Sequence, residues 1–155
     1  MAAYRVAVVG ATGLVGRTIL RVLEERRFPV GDLVPMASER SVGKTVTFAG
    51  TSLAVQLLSE EGLRGIDIAF FAAGTDVNRT WAPLAVRAGA VVIDKSNAFR
   101  MDPRVPLVVP EVNPEALERH QGIIANPNCS TIQLVVALHP LRQLARMERL
   151  LVTTY

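Results

Sequence analysis

The stretch Tyr4-Arg-Val-Ala-Val-Val-Gly-Ala-Thr-Gly-Leu-Val-Gly16 decides the fold of this 155-residue chain. Its first six residues are rich in valine and stop at Gly10, which is typical of a short buried strand. Apolar residues then recur with helical spacing over residues 14–26. A strand that passes through a glycine-rich turn into a helix is the start of a βαβ unit, so this stretch predicts a parallel sheet.

The rest of the chain continues the alternation of strands and helices. Strands are predicted over residues 32–37, 67–73, 90–93, 107–109 and 122–125, and helices over residues 76–88 and 131–144, with another helix starting at Asn113. Residues 44–48 and 52–57 are predicted to pair as a hairpin around Gly50. Pro140 predicts a kink or break near His139, and residues 147–155 are predicted as a last strand. We therefore expect an α/β fold with a Rossmann-like, doubly wound, mainly parallel sheet.

The composition excludes several functional classes. Half of the residues are hydrophobic and a fifth are charged, which excludes an intrinsically disordered segment. The single cysteine excludes an internal disulfide and a cysteine-based zinc site, and it indicates a reducing compartment. Dispersed arginines and an aromatic content of 5% argue against a nucleic-acid partner. No leader or membrane-spanning stretch is predicted, so we expect a cytoplasmic protein with no membrane contact. We also expect no metal.

Gly10, Gly13 and Gly16 lie where the first strand meets the first helix. Glycines there let the backbone turn tightly and approach a pyrophosphate, while the helix N-terminus offers free N–H groups and the positive end of its dipole. The spacing G-x-x-G-x-x-G differs from the commoner G-x-G-x-x-G, and Thr12 stands in place of the second glycine. A tight turn without a ligand is the alternative, but the position at the first strand–helix junction favours phosphate binding.

The loop after the second strand bears on the choice between NAD and NADP. An acidic residue there usually binds the ribose 2′-hydroxyl of NAD. Here the loop contains Arg40, which could bind a 2′-phosphate with two hydrogen bonds, and Ser41, which could donate a third. Glu39 is the contrary evidence, and a solvated surface charge is the alternative for Arg40. The loop favours NADP.

Cys129 follows Asn-Pro-Asn128 at a predicted strand-to-helix junction. A thiolate at a helix N-terminus is stabilised by the dipole and by nearby N–H groups, which favours a nucleophile. Asn128 could donate a hydrogen bond to a developing oxyanion. A buried structural cysteine is the alternative. The chain offers no obvious base, because His139 lies about 15 Å further along the helix and His120 is not a sequence neighbour.

Five segments taken together resemble aspartate-semialdehyde dehydrogenase. They are Gly10-Ala-Thr-Gly-Leu-Val-Gly16, Ser38-Glu-Arg-Ser41, Asp94-Lys-Ser-Asn-Ala-Phe-Arg100, Val109-Pro-Glu-Val-Asn113 and Asn126-Pro-Asn-Cys-Ser-Thr-Ile-Gln133. Their order and spacing run through nearly the whole chain. Lys95 and Asn97 depart from the commoner Asp-Asn-Ser-Ser form of the third segment.

The resemblance implies a role for each matching residue. Thr12, Gly13, Leu14 and Val15 would hold the cofactor pyrophosphate, and Arg40 with Ser41 would hold the 2′-phosphate of NADP. Cys129 would be the nucleophile that carries the acyl group. Arg100 would bind the phosphate of the acyl-phosphate substrate or inorganic phosphate, with the help of Asn128.

The resemblance also implies a division of the chain. Residues 1–128 would form the NADP-binding Rossmann-like domain. Residues 129–155 would form the catalytic cysteine helix and the first strand of a truncated substrate and dimerisation domain. In the family that second domain carries the acid/base histidine, a substrate-binding arginine and most of the dimer interface, so a homodimer or homotetramer is expected of the full-length enzyme.

The implied activity is NADP-dependent reductive dephosphorylation of L-aspartyl-4-phosphate to L-aspartate 4-semialdehyde through a cysteine thioester. This step leads to lysine, threonine and methionine. Two alternatives stay open. The chain could be a non-catalytic NADP-binding module or an inactive fragment, or it could belong to an N-acetyl-glutamyl-phosphate reductase, which shares the architecture.

Overall fold

The computed structural model describes residues 3–153. Within them the strands are β1 (Tyr4–Val9), β2 (Val30–Ala37), β3 (Thr45–Phe48), β4 (Thr51–Ala54), β5 (Gln56–Leu57), β6 (Ile68–Phe71), β7 (Val91–Asp94) and β8 (Ile123–Ala125). The α-helices are α1 (Leu14–Glu25), α2 (Thr75–Arg87) and α3 (Cys129–Leu144). Two short 3₁₀ helices, Glu39–Ser41 and Pro114–Arg119, lie in connections.

Six of these strands form one sheet in the order β5-β2-β1-β6-β7-β8, and every neighbouring pair is parallel. This order is that of a doubly wound Rossmann-type sheet, in which the chain builds one half outward from β1 and then crosses to the other side of β1. The predicted fold class is confirmed. The strand order reverses between β1 and β6, and in such sheets ligands bind at the carboxyl ends of the two strands that flank the reversal.

The central strand β1 is buried on both faces, which explains why its sequence is almost continuously apolar. Ala7 and Val9 belong to a core on one side of the sheet, where the small residues Ala82 and Ala85 of α2 let that helix pack closely. Val6 and Val8 point to the other side, where Leu20 and Leu23 of α1 are buried. The two cores hold the end of β1 rigidly, and with it the glycine turn that follows.

Three of the predicted elements are present in altered form. The predicted hairpin exists as β3 and β4, but Gln56 and Leu57 leave it and pair in parallel with Met36 and Ala37 at the edge of the main sheet. The predicted strand at 107–109 is reduced to one parallel bridge between Leu107 and Ala125. The helix predicted from Asn113 is the 3₁₀ helix Pro114–Arg119. The Asn113 side chain bonds Val109 and Leu107 in the preceding turn instead of capping this helix.

The secondary structure of residues 129–153 differs most from the prediction. Helix α3 starts at Cys129, two residues earlier than predicted, and is not broken at Pro140; helical bonding continues to the amide of Ala145, which donates to the carbonyl of Leu141 at 3.0 Å. Of the predicted kink or break near His139, the break is therefore wrong, and the kink stays a prediction. Residues 147–153 form no strand, because no described segment lies beside them to exchange ladder hydrogen bonds. Residues 154 and 155 of that predicted strand lie outside the described part of the chain.

Candidate active site

The turn after β1 requires glycine at two positions for different reasons. Gly10 has φ of +86°, and a Cβ there would lie 2.8 Å from the carbonyl oxygen of Ala72 in the neighbouring loop. A Cβ on Gly16 would lie 2.2 Å from the carbonyl oxygen of Gly10, because α1 packs directly against the turn. Backbone can approach backbone this closely only without side chains. Glycine at these two positions therefore lets the turn pack against the loop after β6 and against α1.

The N-terminus of α1 has the properties of an anion site. Gly13 occupies the N-cap position, no described side chain caps the helix, and its first turn carries no acidic residue. The first N–H groups of a helix have no partner inside the helix, and the helix dipole favours negative charge beside them. A pyrophosphate fits this arrangement.

A cleft of about 700 Å³ opens from this turn along the carboxyl ends of the strands. Its walls come from the glycine turn, the loop after β2, the end of β5 and the start of α2; they include Gly10, Thr12, Gly13, Arg40, Ser41, Gly74 and Trp81. Of the predicted cofactor residues, Leu14 and Val15 do not line this cleft. Leu14 is 85% exposed, and Val15 lines the neighbouring cavity around Cys129.

The loop after β2 is tied to the glycine turn. The hydroxyl oxygens of Thr12 and Ser41 lie 3.2 Å apart, and the amide of Ser41 donates to the carbonyl of Ser38 at 2.8 Å inside the short 3₁₀ helix. Arg40 is exposed beside them and makes no hydrogen bond or ion pair to any other described residue. Its guanidinium is therefore available to an anion in the cleft.

Cys129 is an exposed free thiol at the first position of α3. Asn128 is the N-cap: its Oδ1 accepts a hydrogen bond from the amide of Ser130 at 2.9 Å, and the Cys129 Sγ lies 4.0 Å from the same oxygen. The cap leaves the Asn128 amide nitrogen as the group that can donate into the cavity. The structure thus gives Asn128 a capping role that the sequence did not indicate, while its role toward an oxyanion stays a prediction.

A cavity of about 260 Å³ in front of Cys129 collects the remaining predicted residues. It is lined by Val15, Ala72, Ala73, Lys95, Arg100, Asn126, Pro127, Asn128 and Cys129. Ala72 and Ala73 also line the cleft of about 700 Å³, which we call the cofactor cleft after its predicted ligand, so the cavity and the cleft adjoin just after β6. A ligand in the cofactor cleft would therefore reach the neighbourhood of the thiol.

Arg100 is held in this cavity by two backbone carbonyls. Its Nε donates to the oxygen of Asn126 at 2.9 Å, and its Nη2 donates to the oxygen of Lys95 at 3.1 Å. A guanidinium has five N–H groups, so three remain without a partner among the described residues. The arrangement fixes the plane of the guanidinium and leaves donors for an oxyanion.

Lys95 is the cavity residue that the sequence analysis did not assign. It follows β7 directly, and its Nζ donates to Oδ1 of Asn126 at 2.5 Å. Desolvation by burial, with a smaller contribution from the Arg100 charge, lowers the pKa of Lys95 from its usual range. Its position at the carboxyl end of a strand in the parallel sheet, in the same segment as Arg100, was the available signal.

The two histidines lie away from this cavity. His120 Nδ1 accepts from the amide of Gly122 at 3.1 Å in a turn, and His139 lies on α3; neither lines the Cys129 cavity in the described structure. Residues 3–153 contain no group of three or more metal-ligating side chains. They also contain no helix long and apolar enough to cross a membrane.

Residues 5–120 match the family described as semialdehyde dehydrogenase, NAD binding domain. The chain belongs to this family. The aspartate-semialdehyde dehydrogenase of Aquifex aeolicus is 59% identical over 155 residues, which are 98% of this chain and 46% of the relative. The resemblance found from the sequence is thereby confirmed. The chain spans about half the length of the curated relatives it matches.

Solved structures agree with the match. Aspartate semialdehyde dehydrogenase II from Vibrio cholerae, complexed with ASA, superposes with a TM-score of 0.88 at 53% identity and covers 92% of this chain and 47% of that one. The Candida albicans enzyme with NADP superposes with a TM-score of 0.73 at 27% identity, and the match covers 92% of this chain and 47% of that enzyme's chain. A nicotinamide cofactor follows from the family.

Proposed function

We propose that the protein catalyses the NADP-dependent reductive dephosphorylation of L-aspartyl-4-phosphate to L-aspartate 4-semialdehyde, with the thioester on Cys129. The observation that carries this proposal is the shared cavity: the exposed thiol of Cys129 and the fixed guanidinium of Arg100 line the same space, beside the cofactor cleft. High identity to enzymes named aspartate-semialdehyde dehydrogenase supports this substrate over N-acetyl-glutamyl phosphate.

The first half of the reaction uses residues of this chain. The Cys129 thiolate attacks the acyl carbon, a C–S bond forms, and the C–O bond to phosphate breaks with its electron pair leaving on phosphate. Arg100 binds the phosphoryl oxygens through its unpaired N–H groups and stabilises the leaving charge. The Asn128 amide donates to the oxyanion that develops on the acyl oxygen.

The cofactor cleft fits a dinucleotide. The uncapped N-terminus of α1 suits the pyrophosphate, and Arg40 with Ser41 suits a 2′-phosphate. When bound, NADPH supplies the hydride that reduces the thioester. Cleavage of the C–S bond afterwards returns Cys129 as the thiolate. A homodimer or homotetramer of the complete enzyme stays a prediction.

The test is a pair of variants in the protein expressed from its whole reading frame. Cys129→Ala should lower the phosphate-dependent formation of NADPH from aspartate semialdehyde at least a thousandfold, whereas Thr131→Ala, two residues along α3, should stay within about threefold. Intact-mass spectrometry after mixing with aspartyl phosphate should show an aspartyl adduct in the parent protein and none in Cys129→Ala. Near-normal turnover by Cys129→Ala would remove the proposed mechanism. Faster turnover of N-acetylglutamate semialdehyde would assign the other substrate.

A further inference from the structure

Lys95 lies between two different environments. Its side chain borders an apolar groove formed by α1 and β6, which contains Val15, Ile19 and Phe70, and it also lines the Cys129 cavity. Long basic side chains commonly lay their methylene groups along apolar surface and extend the charged end to a polar space. The bond from Nζ to Oδ1 of Asn126 places that charged end at the cavity wall.

The cavity has an excess of positive charge. Lys95 and Arg100 both line it, and none of its described lining residues is a carboxylate. The nearest carboxylate in sequence, Asp94, is fully buried and accepts hydrogen bonds from Asn78 and Ser96. The pKa of Lys95 is lowered by burial first and by the Arg100 charge second, and the Cys129 thiolate opposes this shift with a smaller contribution. An anion bound between the two cations would remove this repulsion.

We propose that Lys95 is a second cation of the anion subsite, binding with Arg100 the phosphoryl oxygens of the acyl-phosphate substrate or of inorganic phosphate. The identity of the anion as phosphate rests on the proposed function. An ammonium has three N–H donors, and the bond to Asn126 uses one of them, so two remain for the ligand. Both cations belong to the loop that follows β7: Lys95 is its first residue, and Arg100 lies five residues further along.

A purely structural role is the competing explanation. Lys95 and Arg100 both bind Asn126. Lys95 donates to the side-chain oxygen of Asn126, and Arg100 donates to its carbonyl oxygen. Loss of Lys95 could therefore displace the segment that leads to Cys129 without removing any ligand contact. Asn126→Ala breaks the same bond and keeps the ammonium, so it is the matched control.

The test measures protection of Cys129 from iodoacetamide by inorganic phosphate, at constant ionic strength, in the protein expressed from its whole reading frame. Alkylation is quantified by mass spectrometry of the peptide that contains Cys129. Loss of charge-assisted hydrogen bonds should raise the half-protecting phosphate concentration roughly tenfold to a hundredfold in Lys95→Met and Lys95→Gln. Lys95→Arg should remain within about threefold of the parent, and Asn126→Ala should shift it less than Lys95→Met does.

Three results would overturn the proposal. They are an unchanged half-protecting concentration in both uncharged variants, an Asn126→Ala shift as large as that of Lys95→Met, or an absence of protection in the parent protein.

Turnover is measured separately, to distinguish failure of the subsite from failure of the proposed reaction. A parent protein that is protected by phosphate but does not oxidise aspartate semialdehyde would refute the proposed reaction while the subsite stands. A parent protein that turns over, with Lys95→Met unaffected in the Michaelis constant for phosphate, would refute the subsite alone.

Discussion

The hydroxyl oxygens of Thr12 and Ser41 lie 3.2 Å apart, joining the glycine turn after β1 to the loop after β2. Residues of both segments line the cofactor cleft. The contact sets the position of Arg40, the neighbour of Ser41, relative to the N-terminus of α1. A dinucleotide whose pyrophosphate lies on α1 would therefore place its adenosine ribose near Arg40.

Arg40→Gln is expected to weaken NADP far more than NAD. The guanidinium can form charge-assisted hydrogen bonds with a 2′-phosphate, and NAD lacks that group, so the NADP dissociation constant should rise roughly tenfold to a hundredfold while that of NAD changes little. Isothermal titration with each cofactor measures both constants. Arg21→Gln is the control, because Arg21 lies on α1 and pairs with Glu25. Equal losses for the two cofactors would contradict the 2′-phosphate assignment.

Gly16→Ala is expected to destabilise the protein by about 3 kcal/mol, and Gly13→Ala by much less. The added Cβ would lie 2.2 Å from the Gly10 carbonyl oxygen in the first variant and 3.4 Å from the same atom in the second. The obstacle at Gly16 is backbone that is held between two cores, so it cannot move aside cheaply. Urea unfolding of both variants measures the difference. Equal free energies of unfolding would show that the turn is more adaptable than its contacts indicate.

The sequence was a good guide wherever burial imposed a regular pattern. β1 and α1 were predicted within one residue of their observed ends. β1 is a short apolar run, the apolar residues of α1 have helical spacing, and glycines separate the two. The cysteine block was only partly readable: Cys129 lies at the predicted strand-to-helix junction, but α3 begins at Cys129 and not at residue 131, and the sequence did not indicate Asn128 as the cap.

Features that depend on tertiary contacts were not readable in the same way. The pairing of Gln56 with Met36 joins segments that are distant in sequence, and a two-residue strand has no period of its own. Residues 147–153 have the composition of a strand but no neighbouring strand in the described structure, and composition alone does not make a ladder. Lys95 was not assigned because its position against Asn126 arises from β7 and β8 lying side by side.

Asn78→Ala is expected to lower the free energy of unfolding by about 2–4 kcal/mol, because it removes hydrogen bonds to buried partners. Asn78 is fully buried on α2, and its Nδ2 donates to the carbonyl of Phe71 and to Oδ1 of Asp94. The variant would leave the buried Asp94 carboxylate with one donor fewer. Asn97→Ala, which breaks an exposed bond from Thr75, should cost under about 1 kcal/mol. Thermal and urea unfolding of the two variants test this ranking, and a reversed order would contradict it.

The Asp102 carboxyl should titrate well below its ordinary range. The side-chain hydrogen bond from Arg104 is the largest cause and the bond from the Arg104 amide is the next; together with the Arg104 charge they lower the pKa of Asp102 from 3.8 to about 2. A lowered pKa means that the pair stabilises the fold above pH 3.8 and that this contribution is lost as the pH falls to about 2. Carboxyl ¹³C chemical shifts measure the titration. Arg104→Gln should raise the pKa of Asp102 toward 3.8, and Arg119→Gln should leave it unchanged.

Two substitutions of Asn128 should separate its structural and chemical roles. Oδ1 caps α3 by accepting from the Ser130 amide at 2.9 Å, while the amide nitrogen is the proposed donor to the acyl oxyanion. Asn128→Asp keeps an oxygen for the cap, so its free energy of unfolding should stay near that of the parent, whereas Asn128→Ala should lose about 1 kcal/mol. Both variants lack the donor, and both should lower kcat by roughly a hundredfold or more.

The carboxylate introduced by Asn128→Asp would also repel the developing negative charge, so this variant should be the slower of the two enzymes although it is the more stable. Stopped-flow measurement of acyl transfer to Cys129, alongside urea unfolding, gives both quantities for each variant. If Asn128→Asp kept the parent rate, the amide would have no part in the chemistry and Asn128 would serve only as the cap of α3. If rate fell in step with stability across the two variants, the loss of activity would come from a frayed helix.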